Sequence, residues 1–200
     1  MLNVQVKSVN GITLVPLETK LLEHRKIFIE GEITEKTACE FAGKIMLLVN
    51  EDSEKAIDVL IHSQGGEIIA GLMIYDIMQS CETPMRMYCL GKAYSMAAVL
   101  FASGRFGRYM LPNSEIMLHE PTLGNRVGGN SSTIKSISES LMETKQKINR
   151  ILAKHTGKTE QEIETASAYD HYFSCEESIA FGLADKSVGI MEILNGNIVN

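Results

Sequence analysis

Ser95 lies in "AYSMAAVLFASG", after a strand-like run and at the start of an apolar helix-like run. A serine at such a junction commonly caps the helix, its oxygen accepting a backbone N–H. It can also be a nucleophile, if a base, an orienting carboxylate and an oxyanion site stand near it. Its neighbours are small: Ala93 lies two residues before it, and Ala97 and Ala98 follow. A sharp elbow built from such residues leaves room for a substrate, although alanines stand where the G-x-S-x-G motif has glycines. Gly65 and Gly66 end the preceding strand. Glycine backbone can aim an N–H at a developing oxyanion, and the Met96 N–H, just after the serine, would be the second donor. His119 ends "EIMLH", ahead of Glu120 and Pro121. Of the five histidines it alone closes an apolar strand just before a proline, which makes it the best candidate base. Asp170, in "AYDHYFSCEE", could hold the imidazole, but spacing does not separate it from Asp76 or Asp185.

The elements that must position these groups are legible as alternating periodicities. Residues 25–33 read as a strand ending at a glycine turn. From Thr34, a good N-cap, Ala38, Phe41, Ala42, Ile45, Leu48 and Val49 recur at helical spacing. Residues 56–63 read as a buried strand broken by "QGG", 67–81 as a helix, 84–91 as a strand and 95–103 as a helix. "GRYML" and "EIMLHEP" are short strands around the turn "PNS". Residues 122–132 form a Gly-rich loop. A long helix follows, from about 133 to 155, with one buried stripe that includes Ile134, Ile137, Leu141, Ile148 and Leu152 and with Gly157 at its C′ position. Thr159 with Glu162, and Ser174 with Glu177, are capping-box patterns, and Gly182 ends the last helix. Strands alternating with helices predict an α/β layer of mainly parallel strands joined by right-handed crossovers. No compositional break marks a second domain.

Composition sets bounds. The 200 residues carry a net charge of −6, with 44% hydrophobic and 22% charged residues. This is ordinary globular usage, without the basic patch of a nucleic-acid binder. No apolar run is long enough to cross a membrane, and the first 20 residues do not read as a secretory signal. Cys39, Cys81, Cys89 and Cys175 are scattered, without a CxxC pair. They read as small buried residues of a reducing compartment, with no metal-ligand set. A soluble, cytoplasmic protein is expected.

Several segments, in order, resemble the ClpP family, the proteolytic subunits of the Clp protease. They are "LLEHRKIFIEGEI", "HSQGGEIIAGLMIYDIMQ", "GKAYSMAAVLFASG", "RYMLPNSEIMLHEP", "LAKHTGKTEQEIE" and "YDHYFSCEESIAFGLAD", covering about 21–185. The resemblance implies an α/β, crotonase-like spiral of β-β-α units with a projecting handle helix. Residues 1–200 would form one domain, with 1–20 an axial segment and about 122–155 the handle region. It implies a serine endopeptidase with Ser95 as nucleophile, His119 as base and Asp170 as orienting carboxylate. The oxyanion donors would be the Gly65 and Met96 N–H groups. No cofactor or metal is implied in this subunit. It further implies heptameric rings stacked as a tetradecamer, and an AAA+ Clp ATPase that delivers unfolded polypeptide and uses the ATP. This chain departs from the family at Gln64, where proline is usual, and at Tyr169, where arginine often joins the rings. Asp58 and Leu60 stand at outward positions where aromatic residues usually build the unfoldase-docking pocket. These departures suggest a divergent paralogue that assembles with a second ClpP-type subunit or uses a different unfoldase. The alternatives are a non-catalytic structural ring subunit, a crotonase-type enzyme acting on acyl thioesters, and a relative of membrane-bound signal-peptide peptidases.

Overall fold

The computed structural model describes residues 2–9, 11–123 and 128–195. The chain opens with a hairpin, β1 (Asn3–Ser8) and β2 (Gly11–Pro16), followed by α1 (Leu17–Glu23). Next come β3 (Lys26–Ile33), α2 (Glu35–Glu51), β4 (Ile57–Gly66), α3 (Ile68–Ser80), β5 (Met85–Tyr94) and α4 (Met96–Ala102). The second half holds β6 (Arg108–Met110), β7 (Glu115–Leu118), α5 (Ser131–Thr156), α6 (Glu160–Ser167) and β8 (His171–Phe173). It closes with α7 (Cys175–Phe181), β9 (Lys186–Ser187) and α8 (Ile190–Asn195). Strands β3, β4, β5, β6 and β9 pair in that order, all parallel. β7 joins the upper end of β5 in parallel, and β8 joins β7 antiparallel. The parallel α/β class expected from the alternating pattern is the one observed.

Side chains of a strand alternate between faces, so this sheet carries two cores. Ile27, Ile29, Val59, Ile61, Met87 and Cys89 pack under α2, α3 and α4 in the main core. Leu60 and Tyr88 face the other side, where Val188 and Ile193 cover them. Burial on both faces explains the largely apolar run of β4, which only Asp58 interrupts within 57–61. Caps fall where the sequence placed them. Thr34, Thr159 and Ser174 each close a capping box, and Gly157 and Gly182 end α5 and α7 in left-handed conformation.

Four expectations are corrected. The glycine pair does not break β4: Gly65 and Gly66 stay in register with Glu32 and Ile33 of β3 after a bulge at Gly31/Glu32. The α5 stripe is buried only toward the C-terminus, at Ile148 and Leu152. Ile134 is 49% exposed, and Ile137 and Leu141 are only half-buried. Cys39 is exposed, lying on the outer side of α2. Asp58 and Leu60 do not face outward: they are 3% and 4% exposed, beneath the segment that ends in α8. The Asp58 carboxylate is stabilised there by two cations, Lys26 at 2.5 Å and Arg86 at 2.6 Å. Lys26 Nζ also donates to the Ile193 carbonyl, at 2.9 Å, which ties α8 to the sheet. The Gly-rich loop falls partly outside the described residues, at 124–127.

Candidate active site

β5 is the strand that builds the site. Its register against β4 shifts between the pairs Ile61↔Cys89 and Ser63↔Ala93, so extra β5 residues loop out around Gly91. That shift raises Ala93, Tyr94 and Ser95 beside the glycine pair. Ser95 then turns the chain into α4 with φ 54° and ψ −124°. Among the described non-glycine residues only Arg25 shares a positive φ. Such conformations cost about 1–3 kcal/mol and persist where surrounding structure enforces them. Here the Ser95 N–H donates to the Met117 carbonyl at 2.8 Å, and the Ser95 carbonyl accepts from Ala98 and Val99. Its hydroxyl makes no cap bond to α4. The capping role therefore does not explain this serine.

The hydroxyl is engaged elsewhere: Ser95 Oγ lies 2.8 Å from His119 Nε2. The pairing of β7 with β5, through Lys92↔Glu115 to Tyr94↔Met117, carries the end of β7 to the tip of β5, so His119 arrives beside Ser95. With the ring proton on Nδ1, the serine O–H donates to Nε2, the contact a general base needs.

Asp170 approaches from β8. The β7–β8 ladder runs Ile116↔Phe173, Met117↔Tyr172, Leu118↔His171, so His119 and Asp170 occupy the next facing positions. Asp170 is exposed, and no hydrogen bond joins it to His119. The structure thus brings two of the three residues into contact and sets the third at the adjoining register. Asp185 is committed elsewhere, to Arg108, where its Oδ2 accepts from Nε at 3.1 Å. Asp76 lies in α3.

The glycine pair meets the serine as expected, with Gly65 against Tyr94, Ser95 and Met96 and its amide engaged. The Gly65 N–H donates to Ser63 Oγ at 3.0 Å, and Ser63 Oγ donates to the Gly31 carbonyl at 2.6 Å. The Gly65 amide is thereby turned toward β3. The Glu67 N–H also goes to β3, at the Ile33 carbonyl. Gln64 is the unpaired residue of the bulge, between Ser63 and Gly65, which pair with Gly31 and Glu32. Its side-chain amide, oriented as its neighbours require, donates to the Gly31 carbonyl at 3.2 Å and accepts from the Glu32 N–H at 3.1 Å.

A small apolar pocket opens beside Ser95 and His119, lined by Ile68, Met96, Val99, Leu118, Ile148 and Leu152. Its volume of about 30 Å³ is close to that of a single water. Ser63 and strand β8 were missed from sequence. For β8, the β-prone run His171-Tyr172-Phe173 was an available signal.

A parallel α/β sheet gathers a strained serine and a histidine at its strand ends, the edge where such sheets bind ligands. The family model described as Clp protease matches residues 11–191. The chain belongs to the Clp protease family, and the domain occupies most of its length. Among the described residues no helix is long and apolar enough to cross a membrane.

Proposed function

We propose that this chain is a serine endopeptidase subunit of a self-compartmentalised Clp protease. The 2.8 Å contact between Ser95 Oγ and His119 Nε2, made by a serine held at φ 54°, carries this reading. Ser95 Oγ attacks the peptide carbonyl carbon as its proton passes to His119 Nε2. The tetrahedral oxyanion takes hydrogen bonds from the Met96 and Gly66 N–H groups, Gly66 replacing Gly65, whose amide is already spent on Ser63. As the C–N bond breaks, His119 returns the proton to the leaving amine. Water, deprotonated by His119, then cleaves the acyl-enzyme ester. Asp170 orients the imidazole once its carboxylate reaches Nδ1. The apolar pocket suits an apolar side chain next to the scissile bond, after side chains lining it give way. No cofactor takes part in this subunit.

The family membership supports assembly into heptameric rings stacked as a tetradecamer, alone or with a second ClpP-type subunit. It also supports a cytoplasmic AAA+ Clp ATPase as the source of unfolded polypeptide. Docking at positions 58 and 60 would require α8 to move, since both lie beneath it. Tyr169, 87% exposed, stands free where the ring contact is expected.

The second reading is a structural ring subunit without catalysis, favoured by the missing Asp170–His119 bond. Hydrolysis of a short fluorogenic peptide ending in an apolar residue separates the two. The peptidase reading expects activity in ring-sized particles of the wild type and none in Ser95→Ala or His119→Ala. Rings equally inactive in all three, even with a cognate ATPase and a second ClpP-type subunit present, would leave the structural role.

A further inference from the structure

One cation joins the two stretches of chain that bring His119 and Asp170 to the site. Lys145, on the body-facing side of α5, places Nζ 2.9 Å from Glu120 Oε2 and 3.0 Å from Glu164 Oε1. Glu120 is the residue after His119. Glu164 is on α6, the helix that leads through Ala168 and Tyr169 into Asp170. The two stretches are held together on one side by the three-pair β7–β8 ladder and on the other by this lysine. Both carboxylates raise the Lys145 pKa through their hydrogen bonds, so the ammonium stays charged throughout the working pH range.

With the ladder and the lysine contacts both formed, Asp170 stands opposite His119 at the next register position, exposed and without a hydrogen bond to it. A short strand pair fixes register but leaves its open end free to splay. The Lys145 clamp closes that end from the handle side. We propose that Lys145 is a positioning residue of the peptidase site, holding the His119 and Asp170 segments at the separation from which the carboxylate engages the imidazole. The inference rests on the Ser95/His119/Asp170 reading. It also makes α5 a mechanical link to the site: a displacement of this helix pulls on both catalytic segments through one side chain.

A double-mutant cycle in the assembled protein tests it, with steady-state hydrolysis of a short fluorogenic peptide as readout. Lys145→Gln is expected to lower kcat by roughly 5- to 20-fold with KM within about twofold, because the substrate is bound elsewhere. Lys145→Arg, which can reach both carboxylates, restores most of the loss. In an Asp170→Asn background the Lys145→Gln change has little further effect, less than about twofold, since residues acting through one another are not additive. Lys145→Gln with wild-type kcat would overturn the proposal. So would a fall in kcat that persists unchanged in the Asp170→Asn background. If Lys145→Gln fails to assemble by native mass, Glu120→Gln and Glu164→Gln each cut one arm and must show the same dependence on Asp170. An Asp170→Asn protein as active as wild type would instead sink the triad reading itself.

Discussion

Gly65 and Ser95 touch backbone to side chain: a Cβ built on Gly65 would stand 2.8 Å from Ser95 Cβ, 2.7 Å from the Tyr94 carbonyl oxygen and 3.0 Å from the Met96 nitrogen. Gly65 also holds φ 90°, which an L side chain rarely adopts. The glycine is therefore what lets the serine elbow sit against the end of β4. Gly65→Ala is expected to push the elbow away and lower kcat by about 10²-fold or more, given the sensitivity of catalysis to displacements near 1 Å. Peptide hydrolysis by a variant that keeps its circular dichroism and ring mass reads this directly. Wild-type kcat in Gly65→Ala would mean that the elbow is not where catalysis occurs.

Burial makes His155 an acid-sensitive point. It lies at the end of α5, with Tyr75 Oη 3.3 Å from its Nε2. Desolvation first, then Lys154 and Arg108, lower its pKa from the ordinary 6.5 to about 4. The unfolded chain therefore binds this proton more readily than the folded one. Its contribution to stability is complete above pH 6.5 and is lost as pH falls toward about 4. Urea unfolding at a series of pH values should show a loss over that window that His155→Gln lacks. Parallel curves for the two proteins would exclude His155 as the cause.

Tyr88 carries an orphan hydroxyl. The ring is fully buried between Leu60, Val188 and Ile193, and Tyr88 Oη meets no partner at good hydrogen-bond geometry, with the Asp58 carboxylate close enough only to bear on its ionisation. Burial first, then the Asp58 charge, raises its pKa. Removing an unsatisfied buried group while keeping shape is stabilising, so Tyr88→Phe should gain about 1 kcal/mol in chemical denaturation. A loss of that size would mean that the hydroxyl is paired in solution.

Arg25 bears a different burden. At φ 57° it sends its guanidinium into the end of α2, donating to the carbonyls of Leu48 at 2.9 Å, Asp52 at 2.8 Å, Lys55 at 2.9 Å and Ala56 at 3.3 Å. Arg25→Ala strands these acceptors and is expected to cost about 3 kcal/mol or more. Lysine cannot span four carbonyls, so Arg25→Lys should recover only a minority of that loss. Full recovery with lysine would reduce the role to charge alone.

How far the sequence alone reached follows from where its signals were local. Thr34, Thr159 and Ser174 cap helices through contacts three residues away, so their patterns were readable. The pairing of Ser95 with His119 was suggested by residue type and strand ends, and the β5–β7 ladder realises it. The contact of the Gly65 amide with Ser63 was not legible, because a two-residue side-chain-to-backbone bond leaves no periodic signal. Asp58 was misplaced outward for a different reason. Its two cations, Lys26 and Arg86, come from neighbouring strands, and its cover comes from α8, more than 130 residues away in sequence. Antiparallel β8 escaped notice because three residues carry little periodicity.

The 2.8 Å contact with His119 Nε2 is what would make Ser95 a nucleophile. Reaction of the purified protein with a fluorophosphonate, followed by intact mass and peptide mapping, tests it most directly. One phosphonyl adduct per chain is expected, located on Ser95, absent from Ser95→Ala and strongly slowed in His119→Ala. A wild-type protein assembled with its partner subunits that stays unlabelled, or that is labelled at another residue, would contradict it.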